Sequence, residues 1–169
     1  MQYFETQPIM PKKLMTVITV FLVIIALMYG YMFYEQAVLG KPSPDNAIES
    51  HWVLIICLIT ALVSWYVSKI QIITKVDDGY LYLSIGAFGK TKIALSDIEK
   101  VSFKLGNPAK EFLGFGYRIK ANKLGYIGRG KEAIEITTKG EKRTITVTTD
   151  NASSLKEAIQ SDVDATQNP

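Results

Sequence analysis

The residues most suggestive of chemistry lie at 86–95, GAFGKTKIAL, where Gly89-Lys90-Thr91 has the types that close a phosphate-binding loop. Such a loop needs a glycine five residues before its final Gly-Lys, and it must open a helix whose amides face the phosphates. Position 84 is Ser84, and Lys92-Ile93-Ala94-Leu95 alternates in the manner of a strand. The segment therefore reads as a hairpin turn. Gly114-Phe115-Gly116 fails a dinucleotide fingerprint in the same way, because position 119 is Ile119. Gly125, Gly128 and Gly130 read as bulges or corners of a bent sheet.

No Ser-His pair, Cys-His pair or distinctive carboxylate pair stands out, so the sequence predicts no catalytic residues. His51 is the one histidine and Cys57 the one cysteine, which argues against a metal or haem site and predicts no cofactor. Asp77-Asp78-Gly79 reads as a polar turn.

Charge is the uneven feature. Between 100 and 131 stand Lys100, Lys104, Lys110, Arg118, Lys120, Lys123, Arg129 and Lys131, with Glu111 as the one acid. Arg118 and Lys120 flank Ile119, which the alternation turns inward, so both cations are expected to face out. Glycine-rich loops at 105–116 and 123–131 are expected to gather Lys110, Lys123, Arg129 and Lys131 at one end of the domain. Lys110, Arg118, Lys120, Lys123, Arg129 and Lys131 thus form the candidate surface for anionic lipid headgroups or a membrane-protein partner. The competing reading is a solvated lysine-rich face. Aromatic residues are sparse among these cations, which argues against nucleic acid.

The elements that must position this surface follow from hydropathy. Residues 14–34, LMTVITVFLVIIALMYGYMFY, and 52–68, WVLIICLITALVSWYVS, contain no charge. Each is near the length of a helix that crosses the roughly 30 Å hydrocarbon core of a bilayer, and neither shows a polar face. Lys12 and Lys13 resemble the basic start of a secretory signal, but the apolar run is too long and ends in bulky residues. The expected organisation is an N-terminal segment 1–13, transmembrane helices 14–34 and 51–68 joined by a loop 35–50, a β-domain 69–161 and a flexible tail 162–169. Lys12, Lys13, Lys69 and Lys75 flank the spans, whereas the loop sets Lys41 against Glu35, Asp45 and Glu49. The positive-inside rule then predicts cytoplasmic termini in an inner, multi-pass cell membrane, with the loop outside. Lys41-Pro42-Ser43-Pro44-Asp45 carries the turn chemistry.

Beyond residue 70 the period becomes two: Leu81, Leu83 and Ile85; Ile93 and Leu95; Val101, Phe103 and Leu105; Tyr117, Ile119 and Ala121; Ile134 and Ile136; Ile145 and Val147. Lys139-Gly140-Glu141 reads as a tight turn, and 150–159 as a helix capped by Asp150 or Ser153. The pattern amounts to six or seven antiparallel strands and one C-terminal helix.

These strand spacings, the Ser96-Asp97-Ile98-Glu99-Lys100-Val101 step and the stretch from Gly114 to Ile159 resemble the bacterial pleckstrin-homology (PH)-like domain of small prokaryotic membrane proteins with two preceding transmembrane helices. The resemblance implies about seven strands in a bent sheet with a helix at one end. It also implies a binding scaffold, not an enzyme, and it transfers no ligand-binding residues. The expected function is a non-catalytic membrane-anchored binding module. The alternative is an accessory subunit recognised through its helices, with Ala26, Gly30, Ala61 and Ser64 supporting close packing.

Overall fold

The structure, a computed structural model, describes residues 2–41, 49–140 and 143–167. The chain divides into two units: residues 12–69, and residues 70–169 together with residues 1–11.

The first unit is a pair of helices, α1 (Lys12–Ala37) and α2 (Ser50–Lys69), packed on each other. Both are long and apolar enough to cross a membrane, and they overrun the charge-free segments by one to three residues. α1 buries no residue, and α2 buries Val53 and Ser64. Phe21, Leu27, Leu58 and Leu62 are left exposed. Both helices thus leave apolar surface uncovered on all sides within the described residues. Small side chains allow their approach: a Cβ on Gly30 would meet Cys57 Sγ at 3.7 Å, and that thiol donates to the Ala26 carbonyl at 3.3 Å. Pro42, Ser43, Pro44 and Asp45, expected to make the turn, lie outside the described residues.

The second unit is mainly β. Its four-stranded sheet has the order β1 (Tyr3–Pro8), β2 (Gln71–Asp77), β3 (Tyr80–Ile85), β4 (Phe88–Ala94). Its five-stranded sheet is built from β5 (Ile98–Phe103), β6 (Gly116–Lys120), β7 (Lys123–Ile127), β8 (Glu132–Thr138) and β9 (Thr144–Thr149), in the order β5-β8-β9-β7-β6. The expectation of six or seven antiparallel strands needs correcting on two counts. Nine strands form among the described residues, and β7 runs parallel to β9.

The strand that precedes the helices is the largest departure from the sequence reading. β1 pairs antiparallel with β2 from Tyr3↔Val76 to Pro8↔Gln71. Gln7 is fully buried: its Nε2 donates to the Thr148 carbonyl, and its Oε1 accepts from Gly130 N at 2.8 Å. Glu5 accepts from Thr149 Oγ1 at 2.6 Å and from Asp150 N at 2.8 Å. Burial pushes the Tyr3 phenol up to about 12, with the Glu5 carboxylate adding to the effect. The apolar helix pair is thus an insertion between two neighbouring strands of one sheet. The β-domain does not begin at residue 69.

Alternation accounts for the core. Ile72, Leu81 and Leu83 face Tyr126, Ile134 and Val147 across the sheets, and Leu155 and Ile159 of α4 (Ala152–Gln167) join them. Asn151 caps α4, its Oδ1 accepting from Ser154 N at 3.0 Å, where Asp150 or Ser153 was expected. The helical backbone runs on to Gln167, through most of the segment expected to be a flexible tail. The β3–β4 connection is the hairpin turn expected of GAFGK, with Ile85 opposite Phe88 and Gly86 and Gly89 at φ 53° and 59°. A side chain at Gly89 would press on the Tyr117 ring at 3.3 Å. Lys139 and Gly140 form a turn as expected, whereas Glu141 lies outside the described residues.

Candidate functional site

The six predicted cations do not form one patch. Lys123 opens β7 opposite Lys120, and Arg129 and Lys131 follow the other end of that strand. At 3.3 Å per residue this sets Lys123 about 20 Å from Arg129. The expectation that the glycine-rich loops gather Lys110, Lys123, Arg129 and Lys131 at one end therefore fails. The connections before β6 and after β7 both meet the open end of the hairpin, where Gly116 pairs with Ile127, whereas Lys123 stands at its turn opposite Lys120.

Lys123 instead belongs to an ion-pair cluster on the outer face of the five-stranded sheet. The connection between β5 and β6 forms one turn, α3 (Pro108–Glu111), started by Asn107, whose side chain accepts from Lys110 N. The connection folds back so that Phe112 is buried against Gly125, where a Cβ would meet its ring at 2.9 Å. This brings Glu111 Oε1 to Lys123 Nζ at 2.6 Å and Glu111 Oε2 to Lys104 Nζ at 3.0 Å. Lys104 also reaches Glu135 Oε1 at 2.6 Å, and Lys123 lies 3.7 Å from the same oxygen. Hydrogen bonds from Lys123 and Lys104 hold the Glu111 carboxyl below its ordinary range. Glu135, then Glu111, holds the Lys104 ammonium above its own. Two of the eight cations counted along 100–131 are thus neutralised. Glu111 is an organising centre, and the sequence concealed Glu135 because it comes from β8.

The remaining cations divide by position. Lys120 Nζ donates to the Glu111 carbonyl oxygen at 3.1 Å, next to the ion-pair cluster, with Lys110 exposed on the adjacent turn. Arg118 is exposed on β6, and its Nε donates to the Phe115 carbonyl at 3.0 Å. Arg129 follows β7, with its backbone amide bonded to the Pro8 carbonyl at 3.2 Å. Lys131 is exposed beside Glu132. Among the described residues no carboxylate lies within ion-pair distance of Lys110, Arg118, Lys120, Arg129 or Lys131.

Exposed apolar groups were missed. Alternation turned Ile119, Phe103 and Leu105 inward, yet Ile119 is 63% exposed and Leu105 90%. Ile119 does lie on the core-facing side, opposite Leu124, but β6 is the sheet's edge and overhangs the core. β5 ends at Phe103, so Leu105 lies beyond the ladder. Phe88 and Leu113 are likewise 70% and 86% exposed. A separate cleft of about 230 Å³ brings Lys92, Lys139 and Arg143 round Asp97; Lys92 lies over the Tyr80 ring at 3.7 Å and Lys139 Nζ donates to the Ser96 carbonyl at 2.8 Å. Among the described residues no three acidic, histidine or cysteine side chains gather as a metal site.

No protein-family model, curated protein or solved structure matches the chain.

Proposed function

We propose that the protein is a membrane-anchored, non-catalytic binding module whose β unit works at the cytoplasmic face of the cell membrane, contacting anionic lipid headgroups or a membrane-protein partner. One observation carries this reading. β1 precedes the apolar helices and β2 follows them, yet the two strands pair along their full length. A helix pair inserted in this way must return the chain to the side it left, so the N-terminal strand and the rest of the β unit share one side of the bilayer. The lysines flanking the helices, Lys12, Lys13 and Lys69, support the cytoplasm as that side. The four-strand meander, the second sheet and the C-terminal helix support a PH-like reading of the β unit, from which the β6–β7 hairpin departs as an addition.

An impermeant maleimide tests the topology. With Cys57→Ser as background, cysteines placed at Gln2 and Glu99 should label from the same side of sealed membranes, and one at Lys41 from the other. Labelling of Gln2 and Glu99 from opposite sides would end this reading. Hydrogen exchange of the full chain in nanodiscs tests the ligand. Protection around Arg118 and Arg129 should rise with anionic lipid and fall with salt. No change with lipid charge would turn the search to protein partners.

One feature favours the second reading, an accessory subunit recognised through its helices. Ala26, Gly30, Ala61 and Ser64 line a single groove of about 470 Å³ along the helix pair, the small-residue composition that close helix packing uses.

A further inference from the structure

The strand ends that carry the helices lie at one corner of the β unit, and two of the connections that meet there, β3–β4 and β5–β6, carry an exposed apolar side chain. Pro8 O accepts from Arg129 N at 3.2 Å, and Gly86 N donates to Gln71 O at 2.9 Å. Ile9 is buried in the core and lies 4.0 Å from where a Cβ on Gly116 would stand; Met10, Ile70 and Phe115 pack on the same core. The corner therefore joins the β3–β4 turn, the approach to β6 and the end of β7. Phe88 leaves that turn 70% exposed, and Leu113, three residues before Gly116, is 86% exposed.

Leu113 has φ 57°, a left-handed backbone that disfavours leucine and suits glycine or asparagine. Its backbone closes the end of α3, Leu113 N donating to the Lys110 carbonyl at 3.3 Å and Gly114 N to the Ala109 carbonyl at 2.8 Å, but its exposed side chain adds nothing to the core. Arg118 lies beside it, its guanidinium 2.7 Å from where a Cβ on Gly114 would stand, and Arg129 occupies the same corner.

Chain length supplies the occupant. α1 begins at Lys12 and α2 ends at Lys69, so about 14 Å of extended chain from Pro8, and about 7 Å from Gln71, ties the corner to both helix ends. We infer that this corner is a lipid-inserting rim, in which Phe88 and Leu113 enter the headgroup–acyl boundary while Arg118 and Arg129 meet anionic headgroups. Apolar tips beside cations, held within reach of a bilayer, have the composition of an interfacial anchor, whose apolar face sits about 5–10 Å deep. The inference rests on the membrane-anchored reading and adds the face and the mode of contact.

The test uses the full chain in vesicles containing one-third anionic lipid, with Cys57→Ser as background and single cysteines carrying an environment-sensitive fluorophore. The sites are Phe88→Cys and Leu113→Cys on the rim, Glu99→Cys away from it, and Leu58→Cys midway along α2. Labels at 88 and 113 should shift to the blue and be quenched by lipids with a shallow quencher, while the label at 99 stays wet. The label at 58 should respond to a deep quencher. Labels at 88 and 113 no more quenched than the one at 99, with 58 still quenched, would overturn the rim and leave the membrane reading standing. Absence of quenching at 58 would overturn both. A blue shift at 88 and 113 without quenching, dependent on protein concentration, would assign the corner to a second copy and overturn the lipid inference. Phe88→Asp should abolish quenching at 113; if it does not, the two side chains do not act together and the rim fails.

Discussion

Lys123 and Arg118 belong to the same β-hairpin, yet one is spent inside the fold and the other is left over. Lys123 meets Glu111 and lies within reach of Glu135, beside Lys104, over the outer face of the five-stranded sheet. Arg118 Nε donates to the Phe115 carbonyl and the Arg129 backbone amide to the Pro8 carbonyl, and among the described residues neither guanidinium meets a carboxylate. The difference follows from where acids arrive. α3 and β8 bring carboxylates to Lys104 and Lys123, and among the described residues none comes within ion-pair distance of Arg118 or Arg129. Counting cations along a sequence measures neither outcome. The cluster holds the fold together, and the corner is available to something outside it.

The sharpest way to break this contrast is to release the corner from the sheet. Gly130 packs so closely on β9 that a Cβ would fall 2.6–2.7 Å from backbone atoms of Thr149, and its amide donates to Gln7. Gly130→Ala should cost about 3 kcal/mol of stability, because the clash is with backbone and no side-chain rearrangement can relieve it. Calorimetry of the full chain in micelles reads this loss. Gly79→Ala, with nothing within 4 Å but φ 75°, should cost only its backbone strain, about 1 kcal/mol. Equal losses would mean that Gly130 does not clamp the corner.

The next effect separates the paired cations from the unpaired ones. Glu135→Gln leaves Lys104 with one carboxylate in a site where its side chain is mostly covered. The cluster lies between an exposed pair and a buried one, so the loss should be about 1–2 kcal/mol. Arg118→Gln should move stability by less than about 0.5 kcal/mol. Losses of similar size would erase the distinction between the two regions.

Acid probes the same cluster more gently. Lys123 and Lys104 hold the folded-state pKa of Glu111 below its ordinary 4.5. A carboxyl lowered in this way adds stability above the unfolded-state pKa and loses it as pH falls through the folded-state value. The melting-temperature gap between the wild type and Glu111→Gln should therefore be full at neutral pH, begin to shrink as pH falls through the ordinary glutamate range, and close only beneath the lowered folded-state value. A gap that persists or widens in acid would show that Glu111 acts by packing.

What the sequence revealed was local. Two uncharged runs expose the helices, and a period of two exposes β3, β8 and β9, because each signal is contained within one segment. β1 was hidden because the covered side of Tyr3–Pro8 carries Tyr3, Glu5 and Gln7 instead of aliphatic residues, and the buried Gln7 makes sense only once Thr148 and Gly130 lie beside it. The parallel β7–β9 pairing, the Glu135 end of the ion cluster and the overhang of β6 are likewise properties of distant segments brought together. Leu105 and Ile119 failed for a related reason: alternation reports which face a side chain takes, not whether anything covers that face. The candidate surface was legible as a composition of cations and illegible as a place.

The smallest effect on stability should be the largest on lipid. Arg118→Gln with Arg129→Gln removes two cations that make no ion pair among the described residues, so the folded state has little to lose. Near an anionic surface each cation is worth about 1 kcal/mol, or roughly fivefold in the balance between docked and undocked β units. The pair should lower the docked population in anionic nanodiscs, read by hydrogen exchange at the β3–β4 turn and residues 113–116, and leave neutral nanodiscs unchanged. Salt well above physiological strength should reproduce the loss in the wild type, because the screening length shrinks below the spacing of these groups. The matched control, Lys123→Gln, removes a cation already held by Glu111 and should alter the melting temperature more than the docking. If Lys123→Gln releases the β unit from lipid as strongly as the arginine pair does, the paired cluster is itself the lipid surface, and the division between the two regions is wrong.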